Sequence, residues 1–124
     1  MSAAELVFGL NAVLLALLLG AQVLLRARAT SLSYALSSLD AQLPEGVLAA
    51  RAKRVVSNQI EAMALLAAAV LLEPGAAGLA WAVLAARLAY VPAALVGVPF
   101  ARSAFWLVGF AATLGMLAAG LAQP

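Results

Sequence analysis

Residues 47–73 read VLAARAKRVVSNQIEAMALLAAAVLLE, an apolar run of spanning length that carries charge into itself along one face. At about 100° per residue, Arg51, Arg54, Asn58 and Glu61 fall within about 80° of one another. Lys53 points the other way, where its stem can snorkel to the headgroups, and Ser57 and Gln59 lie off the stripe. Going inward the row presents two cations, an amide and then a carboxylate. Each ionisable group costs roughly 2.5–3.5 kcal/mol at mid-bilayer, so such groups in a span are functional candidates by default.

The rest of the chain is written for lipid as well. Hydrophobic residues make up 67% of its 124 residues and charged residues 10%, with a mean hydropathy of +1.11. A soluble domain of this length needs far more charge to coat its surface. The apolar runs Leu6–Leu25, Val55–Leu72, Ala76–Val96 and Ala104–Leu121 each suffice to cross about 30 Å of hydrocarbon. The expected architecture is all-α, a single domain over 1–124 with spans at about 5–26, 47–73, 76–97 and 101–122. The first run has Glu5 and no Lys or Arg on its N-terminal flank and is too long for a secretory signal core, so it reads as a retained span.

Glu73-Pro74-Gly75 and Gly97-Val98-Pro99 are tight turns, and Pro92 is expected to bend the third span. In the long first connection Leu32, Leu36, Leu39 and Leu43 recur at helical spacing, which predicts a short surface helix stopped by Pro44. Ala111, Gly115 and Ala119 form a ladder of small residues on the fourth span that favours helix packing, and Gly109 and Gly120 add further close-approach points. Arg26, Arg28, Arg51, Lys53 and Arg54 surround the first connection and Arg102 sits at the third, while the second connection and both ends carry no Lys or Arg. The positive-inside rule then places the first and third connections in the cytoplasm and both termini on the other side.

Histidine and cysteine are absent, which excludes disulfides, thiolate nucleophiles, His/Cys metal sites and the usual general base. No metal site is expected. The net charge of +2 rests on seven basic residues, most of them flanking apolar runs, so nucleic-acid binding is not expected. Arg87 and Tyr90 lie one turn apart in the third span. Counted from the shared 73–75 turn, Arg87 and Glu61 lie at the same depth, roughly 16 Å in, which allows an ion pair within or between protomers. Arg51, Arg54, Arg87 and Arg102 outnumber Glu61, and spare guanidinium groups suit a carboxylate ligand. The plainer alternative has Glu61 and Arg87 neutralising each other while the other arginines anchor the bundle.

Arg54-x-x-x-Asn58-x-x-Glu61 with Arg51 one turn earlier, Arg87-Leu-Ala-Tyr90, and Arg102-Ser103 together resemble the MAPEG family, the membrane-associated proteins in eicosanoid and glutathione metabolism. The stretch 86–106, with Tyr-x-Pro and Gly-Val-Pro, is similar to its bacterial branch. The resemblance implies a homotrimer of four-helix protomers, in a bacterial inner membrane, that binds glutathione as co-substrate between subunits near the cytoplasmic face. Arg51, Arg54, Asn58, Glu61, Arg87 and Tyr90 would hold the peptide. Arg102, with Ser103 beside it, resembles the arginine that stabilises the glutathione thiolate. Clefts facing membrane lipid would admit a lipophilic small-molecule substrate for conjugation or peroxide reduction. Ala94 and Ala62 stand where well-studied members often carry aromatics. Two other functions stay open on the residues alone: a non-catalytic structural or regulatory protein of the same fold, and a small proton-coupled exporter using Glu61.

Overall fold

The structure, a computed structural model, describes residues 1–37, 44 and 46–124. Its helices are α1 (Ala3–Ala29), α2 (Leu32–Ala35), α3 (Gly46–Leu72), α4 (Ala77–Val96) and α5 (Pro99–Leu121), and among the described residues there is no strand. All but α2 are long and apolar enough to cross a membrane. Of the expected surface helix, α2 accounts for the first turn, and Leu39 and Leu43 lie outside the described residues.

Local chemistry explains the boundaries. Ser2 and Glu5 form a reciprocal capping box, each side chain accepting from the other's backbone N–H at 3.1 and 3.0 Å. Arg26 and Arg28 lie in the last turn of α1, where a cation complements the helix dipole. This helix therefore runs past the expected end of the first span. Pro99 opens α5 at its first turn, two residues before the expected start, because proline has no N–H to lose there. Pro92 lies within α4 without ending it.

In cross-section the helices follow the order α1, α3, α5, α4, with α3 also touching α4 across the middle. Among the described residues α1 and α5 do not touch. The termini and the α3–α4 turn share one end, where the Gln123 amide donates to the Glu73 carboxylate. Two apolar clusters fill the interior. One gathers Val7, Leu66, Ala69, Ala80 and Met116, and the other Leu18, Val55, Val56, Tyr90 and Ala94. Between them, on three helices at once, sit Asn11, Gln59 and Arg87, all buried. A polar layer thus divides the core.

Away from the charged stripe of α3 the outer faces are largely apolar. Leu17, Leu71, Leu88, Leu107 and Val108 are exposed on successive helices, a surface that water would not tolerate and hydrocarbon matches. The protein is an integral multi-pass membrane protein of the four-helix kind. On α5 the close approaches are made by Gly115 of the expected ladder and by Gly109 and Gly120, the two glycines expected beside it. Gly109 lies against Ala86 and Arg87, Gly115 against Leu79 and Gly120 against Leu72, whereas Ala111 and Ala119 are exposed. The core-facing line is 109, 112, 113 and 116, and the helical period turns 111 to the far side of the helix.

Candidate functional site

The buried face of α3 runs through Ala52, Val55, Val56, Gln59, Leu66 and Ala69. The stripe of Arg51, Arg54, Asn58 and Glu61 is displaced around the helix from that face, so it borders the core rather than entering it. Arg54 and Glu61 are exposed, and Arg51 and Asn58 half-buried. Here the stripe meets α5 and the second half of α4.

Three adjoining clefts follow this seam. The deepest, about 120 Å³, lies beside Asn58, Glu61, Arg87 and Thr113 and is otherwise walled by apolar residues, including Leu65, Val83 and Phe110. Asn58 and Trp106 also border the next, of about 410 Å³, which Tyr90, Arg102 and Ser103 line. Tyr90 and Arg102 continue into the third, about 230 Å³, with Arg51, Arg54 and Gly97. The shared walls make one groove. Every site residue singled out in the sequence borders it, and its charge is that of Arg51, Arg54, Arg87 and Arg102 against Glu61.

Each cation is held differently. Arg51 lies over the end of α4, where its Nη1 donates to the carbonyls of Leu95 and Val96 at 3.2 and 3.0 Å. Those acceptors are the orphan carbonyls of a helix C-terminus, a natural seat for a cation. Gly97, at φ 90° and ψ 36°, makes the approach possible. Its N–H and that of Val98 both donate to Ala93 O at 3.0 Å, closing the helix. Arg54 and Arg102 make no side-chain hydrogen bond or ion pair among the described residues and stand open to the groove. Arg102 sits in the first turn of α5, its N–H donating to Val98 O at 3.0 Å.

Arg87 is held from below. Its Nε donates to Gln59 Oε1 at 2.8 Å and its Nη1 to Asn58 Oδ1 at 2.6 Å. Its Cζ lies 4.5 Å from the centre of the Tyr90 ring, within cation–π range. Gln59 Nε2 donates in turn to Asn11 O and Oδ1 at 3.2 and 3.1 Å, and Asn11 Nδ2 donates to Val7 O at 3.0 Å. Across the seam Trp106 stacks on Phe110, with centroids 4.9 Å apart.

The Glu61–Arg87 ion pair that depth allowed is not formed in this protomer. Gln59 and Glu61 point to nearly opposite sides of α3, so the side chain that reaches Arg87 is the amide, and the carboxylate is exposed. Gln59 and Asn11 were missed in the sequence. The signal was present in Asn11, an amide within an otherwise apolar span, since buried polar groups in lipid need partners. Gln59 was set aside because it lies off the charged stripe.

A sequence model of the MAPEG family matches residues 5–122. No curated protein and no solved structure gives a significant match.

Proposed function

The chain belongs to the MAPEG family, and from that membership we propose that it is a glutathione-binding membrane enzyme that transfers the thiol to lipophilic electrophiles. The family is one of membrane proteins of glutathione and eicosanoid metabolism. The observation that carries the finer reading is the groove itself: a continuous crevice in which arginines outnumber the one carboxylate and two of them have no partner among the described residues. An acidic peptide matches that excess, with bidentate carboxylate–guanidinium contacts available from Arg54. Arg51, Asn58, Glu61, Arg87 and Tyr90 complete the peptide-binding set. Glu61, exposed near the middle of α3, is suited to the peptide's ammonium group.

In this reading Arg102 faces the thiol, with Ser103 beside it as a hydroxyl donor. A free thiol ionises near pH ~8.5, and an adjacent guanidinium raises the thiolate fraction at neutral pH. The thiol proton leaves to solvent and the sulfur attacks the electrophilic carbon. A carbon–sulfur bond forms, and the leaving group departs with the electrons of the bond that breaks. The apolar wall of Trp106, Leu107 and Phe110 suits the body of a lipophilic substrate.

Exposed Arg54 and Glu61 on a spanning helix favour a second copy covering this face, because a bare charge against lipid is costly. That supports the homotrimer the family implies, with the arginine-rich end cytoplasmic under the positive-inside rule. The test is conjugation of glutathione to an aryl halide by the purified protein in detergent. Saturable, protein-dependent loss of halide is expected. No turnover together with no glutathione-induced rise in melting temperature overturns the proposal.

A further inference from the structure

Arg87 is 3% exposed, and its Nη2 is the one buried side-chain nitrogen or oxygen among the described residues with no hydrogen-bond partner. A buried charge is normally paired with an opposite charge. Here both acceptors are amides, which satisfy N–H groups and leave the charge in place. Glu61 lines the same cavity and does not pair with it. The amide orientations are fixed in sequence: Asn11 is tied to Val7 O, Gln59 Nε2 is tied to Asn11 twice, and Gln59 Oε1 is thereby turned to Arg87.

We propose that Asn11 and Gln59 are positioning residues that hold Arg87 uncompensated as the receptor for a ligand carboxylate. A carboxylate at position 59 would hold the side chain equally well and consume its charge. An amide holds the side chain and keeps the charge for the guest. The inference rests on the glutathione reading of the groove and names the interaction that the deepest cavity contributes to it. The same chemistry fits the acid end of an apolar guest, because the cavity is walled by Leu65, Val83 and Phe110. At about 120 Å³ it approaches the engineered cavity of about 150 Å³ that accepts benzene.

The experiment measures melting temperature and binding for the wild-type protein, Gln59→Glu, Gln59→Met and Asn11→Ala, with glutathione, benzoate and the uncharged benzamide as probes. Glutathione and benzoate, and not benzamide, are expected to stabilise the wild type. Gln59→Glu is expected to melt at or above the wild-type temperature without ligand, yet bind both acids at least tenfold more weakly. Gln59→Met should lose stability and binding together, and Asn11→Ala should show the same losses in milder form. A purely structural Gln59 would move stability and affinity in the same direction. Benzoate binding that depends on Gln59, without glutathione binding, upholds this inference and removes the glutathione reading. Glutathione binding alone, lost in Gln59→Glu, upholds both. Wild-type protein that binds neither acid, Gln59→Glu that binds like the wild type, or Gln59→Glu that fails to fold overturns the inference.

Discussion

Arg102→Ala is expected to lower kcat/KM for glutathione conjugation by about a hundredfold, the usual consequence of removing one charge-stabilising donor from the reacting atom. The side chain is exposed at the start of α5 and borders two of the three clefts. It makes no side-chain hydrogen bond among the described residues, so its removal should leave the melting temperature nearly unchanged, as for other surface positions outside special contacts. Arg102→Lys retains the charge without the planar fork and should recover part of the rate. Steady-state kinetics on the three proteins, alongside melting curves, provide the check. An alanine variant that turns over at the wild-type rate removes Arg102 from the chemistry.

Gly97→Val is expected to destabilise the protein by about 3 kcal/mol or more, summing backbone strain of about 1–3 kcal/mol with the loss of charged hydrogen bonds worth about 1.5–3 kcal/mol each. At φ 90° a β-branched residue is strained whatever the space around it. A Cβ built there would also lie 2.6 Å from Cζ of Arg51. Arg51 would have to leave the carbonyls of Leu95 and Val96, and the end of α4 would lose its cap. The turn also sets the start of α5, so the Arg102 side of the groove should lose its shape as well. Denaturation in detergent, followed by helical circular dichroism, gives the loss. A variant as stable as the wild type would show that Arg51 contributes nothing at this corner.

The spans were legible because apolar length is a strong signal, and their ends could be refined only by contacts that composition does not display, such as the Ser2–Glu5 box. The groove was legible as a set of residue types. Arg54, Asn58, Glu61 and Arg102 stand on one seam because helical periodicity places the first three on one face of α3 and α5 packs beside it. What periodicity does not provide is the rotation of that face relative to the core. That rotation decides that Gln59 meets Arg87 at 2.8 Å and that Glu61 does not. Arg51 shows the same limit. Its type and depth were evident, but its engagement with the α4 carbonyls depends on the left-handed turn at Gly97. The small residues of α5 show it too, since Gly115 meets Leu79 while Ala111 and Ala119 are exposed, and spacing in an alanine-rich helix does not say which members face a neighbour.

The most direct measurement is a pH titration of the thiolate ultraviolet absorbance of glutathione in the presence of saturating protein, wild type and Arg102→Ala. A cation-rich groove that holds and ionises the thiol predicts a bound sulfur that titrates well below the free value of about 8.5, returning toward that value in the alanine variant. A thiol that titrates in the presence of the wild-type protein as it does in buffer alone would contradict it.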